Sequence, residues 1–219
     1  MGLSLGNYTV DVKAVDKAGN SGMDSVTFTI AMMQKPTVSF SLSGWAIEPG
    51  YLNTTNITLV VDITASVQYT LKILVNGTTV KSITYSESIS GEVISITVES
   101  EGIYNITVMV EDTLGNKDAK SQLVYVDLTA PSIEIISPSA DETITSTRVE
   151  VRGTVQDNLA GIYNISIRLS GQPWVTPTLE ENGTFYYTFT GLTNGDYTVY
   201  VKVYDRAGNV AMDSVTFSV

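Results

Sequence analysis

The sequence predicts an all-β protein: tandem Greek-key β-sandwiches of about seven strands each, preceded by the closing hairpin of one more such unit. Three observations carry this expectation. The first is a repeat: "YTVDVKAVDKAGNSGMDSVTF" at 8–28 returns as "YTVYVKVYDRAGNVAMDSVTF" at 197–217, with 15 of 21 positions identical. A weaker copy, "YNITVMVEDTLGNKDAKSQLVYV", runs from Tyr104 to Val126, so Tyr8, Tyr104 and Tyr197 lie 96 and 93 residues apart, one small domain each. The second is a strict two-residue hydrophobic alternation, and the third is turn chemistry at sandwich-like intervals.

The repeat divides the chain into 1–31, the last two strands (F and G in the usual lettering) of a truncated unit, and two complete units at 35–127 and 130–219. In the last unit the expected strands are about 132–137, 147–156, 162–169, 174–179, 184–190, 196–204 and 211–219. "RVEVRGTVQ", "YNISIRL" and "TFYYTFT" all alternate. In "DYTVYVKVYD", Tyr197, Val199, Val201 and Val203 share one face, and Thr198, Tyr200, Lys202 and Tyr204 the other, as a half-buried strand requires. "DSVTFSV" repeats the pattern with Val215, Phe217 and Val219. The middle unit gives a similar strand count, and Asn76-Gly77 between "TLKILV" and "TTVKSITY" signals a two-residue hairpin. No window carries a helical stripe.

Composition narrows the function. Twelve basic against 23 acidic residues give a net charge of -11, which repels phosphate backbones and anionic membrane surfaces, so no nucleic-acid partner is expected. No stretch approaches the roughly 18 apolar residues of a membrane helix, and any native signal or anchor is expected outside this chain. The chain contains neither histidine nor cysteine, which removes Ser-His-Asp and Cys-His nucleophile systems, thiolate or imidazole zinc sites and disulfide frameworks. The carboxylate pairs Asp141-Glu142 and Glu180-Glu181 are in turns, where adjacent acids are solvated, so no enzyme activity is expected. Seven of twelve asparagines fall in N-x-S/T sequons: Asn7, Asn53, Asn56, Asn76, Asn105, Asn164 and Asn182. About three would arise at random, which favours a secreted glycoprotein, although Asn in turns followed by Thr in strands also makes sequons unaided.

"PSIEIISPSADETITSTRVEVRGTVQDNLAGIYNISIRLSG", the "VDLTAP" linker and the D-x-A-G-N turn before the last strand resemble the immunoglobulin-like (fibronectin type III-like) repeat domains of large bacterial and archaeal surface proteins. The resemblance covers nearly all of 127–219, the last third of the middle unit and residues 3–30. Leu192 followed by Tyr197 is similar to the tyrosine corner of such sandwiches.

Antiparallel topology returns three loops of the last unit to the pole where the linker enters. That gathers Asp127, Asp157, Asn158, Glu180, Glu181, Asp205 and Asn209, with Asp127, Asp157, Asn158, Glu181, Asp205 and Asn209 as candidate ligands. Hard oxygen donors from several loops suit calcium, and the resemblance implies calcium at domain junctions. The competing reading is that each Asp caps its own turn, as Asp16 and Asp112 would in their copies; the "AMMQKP" linker carries no acid. Trp45 and Trp174 are candidate sugar platforms, and Tyr200 and Tyr204 an adhesive face. Lys13 and Lys202 are equivalent and point outward, so solvation rather than an isopeptide crosslink is expected.

These readings converge on a non-catalytic spacer, stalk or adhesive segment of a prokaryotic, extracellular surface protein. Its partners would be neighbouring repeats, with self-association through the 1–31 hairpin as a further expectation. An accessory array of a secreted hydrolase and a glycan- or protein-binding module are the alternatives.

Overall fold

The computed structural model describes residues 3–30 and 33–219. The limit of the first expected unit at residue 31 and the start of the "AMMQKP" linker lie outside the described residues. Among the described residues every regular element is a strand. β1 (Gly6–Val15) and β2 (Ser21–Ile30) form an antiparallel hairpin in which Tyr8 faces Phe28, Val10 faces Val26 and Val12 faces Asp24. All hydrogen bonds of this hairpin among the described residues are internal to residues 4–30.

In the middle unit β3 (Thr37–Ser43), β4 (Tyr51–Leu52), β5 (Asn56–Thr64), β6 (Tyr69–Val75), β7 (Thr78–Tyr85), β8 (Ile89–Thr97), β9 (Gly102–Asp112) and β10 (Lys117–Val126) form two sheets. Their orders are β3-β5-β8 and β4-β10-β9-β6-β7. Between them lies a core that includes Leu59, Val61, Leu71, Ile73, Ile106 and Val108. Asn76 and Gly77 take φ of 50° and 84°, the doubly positive pair that a tight two-residue hairpin needs, and Val75 faces Thr78 across it.

The last unit comprises β11 (Ser132–Ser137), β12 (Arg148–Gln156), β13 (Ile162–Leu169), β14 (Thr178–Leu179), β15 (Thr184–Thr190), β16 (Asp196–Asp205) and β17 (Val210–Ser218). Sheet β11-β12-β15-β14 packs on β13-β16-β17 around Val151, Ile167, Phe185, Val199, Val201 and Phe217. The strand expected at 174–179 shrinks to the two residues of β14. Val175 first exchanges both backbone hydrogen bonds with Ile167 on β13, at 2.9 and 2.8 Å, and the chain then crosses to β15. Pro173 and Pro177 have no N–H to donate, so this segment cannot hold a continuous ladder. In the middle unit the short Asn76-Gly77 turn instead folds β7 straight back onto β6, and the fourth long strand stays in the other sheet.

Each repeat begins its penultimate long strand with the same tyrosine anchor. The Tyr8, Tyr104 and Tyr197 hydroxyls donate to the carbonyls of Ser4, Ser100 and Thr193, four residues upstream, at 2.8, 2.7 and 2.9 Å. This is the tyrosine-corner geometry, and it sets the pole opposite the D-x-x-G-N turn.

Candidate metal centre at the junction of the two sandwiches

Asp127 follows β10 directly and donates its N–H to the Leu52 carbonyl at 2.8 Å, which continues the middle unit's pairing beside β4. Its carboxylate reaches into the next unit. Oδ1 accepts the Thr129 N–H at 3.0 Å, which turns the linker, and Oδ2 accepts the Ala160 N–H at 2.9 Å from the loop between β12 and β13. Asp157, in that same loop, accepts the N–H groups of Leu159 and Gly161. Asp205 closes β16, and its Oδ1 accepts the Gly208 and Asn209 N–H groups at 2.7 and 2.9 Å. Asn209 Nδ2 donates to Asp205 Oδ2 at 2.8 Å and to the Asp127 carbonyl at 2.9 Å, so the turn of the last unit grips the linker.

One oxygen each of Asp127, Asp157 and Asp205 lie within 4.8 Å of one another. Asp127 and Asp205 are 1% and 0% exposed. Like charges about 4 Å apart repel by roughly 4 kcal/mol per pair at an effective dielectric near 20. Burial accordingly pushes the Asp127 carboxyl above its ordinary value; hydrogen bonds from Thr129 and Ala160 oppose this, while the charges of Asp157 and Asp205 add to it. A divalent cation would neutralise that repulsion, and an all-oxygen donor set suits calcium or magnesium rather than a thiophilic metal.

Of the residues expected at this pole, Asp127, Asp157 and Asp205 come together, and Asn209 joins them through its Nδ2, which donates to Asp205 and to the Asp127 carbonyl. Glu181 does not join: it is exposed in the turn between β14 and β15, where the Glu180 N–H meets the Thr184 carbonyl, and lies outside the three-carboxylate group. Asn158 is exposed beside Asp157. Both are exposed loop residues, and strand order alone does not fix which loop side chains meet. The D-x-x-G-N turns of the other copies share the two Asn bonds but differ in the third: Asp16 accepts from Ala18 and Asn20, and Asp112 from Leu114 and Asn116, where Asp205 takes the Gly208 N–H; among the described residues neither belongs to a three-carboxylate group.

The rest of the junction escaped sequence reasoning. Arg206 Nε lies 3.6 Å from Glu48 Oε2, its Nη1 donates to the Tyr51 hydroxyl at 3.4 Å, and its carbonyl accepts the Glu48 N–H at 3.4 Å. Gly208 has φ of 95°, and a Cβ there would sit 2.7 Å from the Ala46 Cβ, so this turn packs directly on the 44–50 loop. Glu101 Oε2 accepts the Thr129 hydroxyl at 2.8 Å. The one sequence signal was Arg206 itself, where the other copies have Lys17 and Thr113.

Other singled-out residues have local partners. The Arg168 guanidinium lies 4.5 Å from the Trp174 ring and 5.5 Å from Tyr200, covering a face that a sugar would need. Lys202 lies 4.6 Å from the Tyr204 ring. All seven sequon asparagines are exposed.

Fold and junction together define tandem immunoglobulin-like β-sandwich repeats. Residues 131–201 match the family model described as a bacterial Ig domain, so the last unit carries that family's pattern. The chain is similar in fold to the fibronectin(III)-like modules of Clostridium thermocellum CbhA, at 15% identity over 83% of this chain and 94% of that one, with a TM-score of 0.48. It is also similar to a tetra-tandem repeat from the extending region of a large adhesion protein, at 23% identity, 99% and 57% coverage and a TM-score of 0.39. A third likeness is to a 1.5-MDa bacterial ice-binding adhesin, at 17% identity, 97% and 73% coverage and a TM-score of 0.35. No curated protein matches the chain in sequence. Among the described residues, no helix is long and apolar enough to cross a membrane.

Proposed function

We propose that this chain is a non-catalytic spacer segment of an extracellular surface protein, and that calcium at Asp127, Asp157 and Asp205 stiffens its second junction. The observation that supports this reading is the bonding of Asp127, whose backbone belongs to the middle sandwich while its carboxylate is held by the last one. A spacer transmits length only if its joints resist bending. Here the linker is gripped by Asn209 and Glu101, and the Arg206–Glu48 contact closes one side. Asp127, Asp157 and Asp205 would hold the ion, which supplies positive charge to a site where three carboxylates otherwise repel.

Calcium is expected to raise the melting temperature and narrow the spread of inter-unit distances in solution scattering. Binding stabilises by about 2.7 kcal/mol at a hundredfold excess over Kd. Asp157→Asn keeps an oxygen for the Leu159 and Gly161 N–H groups but removes one repelling charge. It should therefore melt higher than the parent in chelator and lose the calcium response. A chelator-insensitive melt in the parent would sink the calcium assignment. Two sandwiches that tumble independently even with calcium would sink the spacer reading.

A further inference from the structure

The outward face of β13-β16-β17 in the last unit is built unlike the rest of this acidic chain. Across the paired stretches 164–168, 198–204 and 210–216 no outward side chain is an acid, in a chain of 23 acidic and 12 basic residues; Asp213 points the other way, to the Ile135 N–H. Arg168 stands opposite Tyr200, and Lys202 opposite Ser166 one row along, so the two cations are diagonal neighbours roughly 7 Å apart. Neither has a carboxylate partner among the described residues. The middle unit treats its cations differently. Glu111, seven residues after the tyrosine anchor as Tyr204 is, pairs there with Lys72 at 3.7 Å and Lys117 at 3.2 Å.

Arg168 is held in place yet unpaired. Its guanidinium lies 4.5 Å from the Trp174 ring and 5.5 Å from the Tyr200 ring, and these two contacts position it. Nε is shut off from solvent with no hydrogen-bond partner; the two Nη groups make no hydrogen bond among the described residues either, but stay open to solvent. Buried N–H groups are nearly always satisfied, so a positioned guanidinium left without a partner marks a constraint other than folding. Lys202 likewise lies 4.6 Å from the Tyr204 ring, and the Tyr200 and Tyr204 hydroxyls have no partner among the described residues. The cation that takes a Trp174 face away from a neutral sugar thus offers a different handle, a fork whose outer N–H groups match a carboxylate.

We propose that this face binds a carboxylated sugar, a hexuronic acid residue on an otherwise neutral glycan, whose carboxylate bridges Arg168 and Lys202 and whose hydroxyls meet Tyr200 and Tyr204. Charge selects the anion, because two unpaired cations stand on a patch free of acids. Charge also limits it: the net -11 of the chain repels densely charged polymers over roughly 10 Å in ordinary salt, whereas an isolated carboxylate meets little of that field. Backbone pairing argues against a peptide. Val175 exchanges both backbone hydrogen bonds with Ile167, so the β13 edge beside Arg168 is closed to an extended segment that would add as a strand. What the face offers instead is side chains alone, cations beside amphipathic rings with free hydroxyls. None of these residues belongs to the junction, so the site is independent of calcium there.

Methyl glucuronoside is the probe, titrated into the full chain in chelator and followed by two-dimensional NMR. The Arg168 Nε–H and the Trp174 indole N–H should shift together and saturate with one dissociation constant. The methyl ester of the probe, and methyl glucoside, should bind about tenfold or more weakly, since the charge-assisted pair is lost. Arg168→Lys keeps the charge without the fork and should weaken binding about tenfold, and Lys202→Gln about threefold. The amide spectrum of the remaining residues reports that each variant is folded. The proposal is overturned if the glucuronoside shifts neither signal, if the ester binds as tightly as the acid, or if Arg168→Lys leaves the affinity unchanged. It is equally overturned if acetylalanine, a carboxylate without a sugar, binds as tightly as the glucuronoside, since an acidic peptide would then be the occupant.

Discussion

The hairpins at 8–28 and 197–217 are nearly the same text in opposite surroundings. Both fold as antiparallel ribbons with the same register, both pin a tyrosine hydroxyl four residues upstream, and both close through an Asp whose carboxylate accepts the backbone and side-chain N–H of the Asn four residues on. Yet Asp16 is exposed and Asp205 fully buried, and Phe28 is 39% exposed where Phe217 is 0%. The local sequence therefore determines strand, turn and corner, while burial and the charge company of the turn come entirely from what is packed against it. A repeat motif of this kind carries shape from copy to copy, but not stability and not a metal site.

The largest break in this pairing should come from the aromatic rings. Phe217→Ala removes a buried ring from the core of the last unit and should cost about 3–5 kcal/mol in urea unfolding of that unit. Phe28→Ala, at the matching position, should leave the unfolding midpoints of both sandwiches where they were. Equal losses at the two sites would mean that the first hairpin is covered in solution by the chain itself.

Legibility in the sequence follows the same division. The alternation of "TVYVKVYD" and "SVTFSV" decides faces within a strand, so the core rows were readable residue by residue. The loop positions of Asp127, Asp157 and Asp205 followed from antiparallel return alone. What stayed hidden depends on pairs far apart in the chain. Whether the fourth strand joins β6 or β15 turns on the contrast between a two-residue Asn-Gly turn and a segment punctuated by Pro173 and Pro177. The exposure of Glu181 and the meeting of Arg206 with Glu48 depend on how the loops leave the sheets and how the two units dock, and no periodicity records either.

A second, smaller break concerns glycine. Gly19 and Gly208 have φ of 91° and 95°, so an alanine at either position pays for a left-handed backbone, about 1–2 kcal/mol. Only at Gly208 does the new methyl also meet Ala46 of the neighbouring unit. Gly208→Ala should therefore both destabilise the last unit and broaden the inter-unit distance distribution, whereas Gly19→Ala should speed exchange in the first hairpin alone. If Gly208→Ala left the scattering profile unchanged, the close packing of this turn on the 44–50 loop would be refuted.

The subtlest difference is electrostatic, and it sharpens the comparison most. Asp16 stands alone: hydrogen bonds from the Asn20 side chain and backbone hold its carboxyl below its ordinary value. Asp127, beside the equivalent turn of the last copy, is pushed up by burial and by Asp157 and Asp205. The signs of the stability effects are therefore opposite. For Asp16 the folded form binds its proton more weakly than the unfolded chain, so its contribution to the hairpin is present above about pH 4 and fades as pH falls below it. For Asp127 the folded form holds its proton more tightly. In metal-free protein its contribution to the junction is thus greatest in acid and is lost as pH rises from about 4 through its raised value. Carboxyl carbon shifts followed by NMR in chelator should place the Asp127 midpoint above that of Asp16, and Asp157→Asn should lower the former without moving the latter. Coincident midpoints would show that the three carboxylates of the junction do not feel one another, and the argument for a cation there would lose its electrostatic basis.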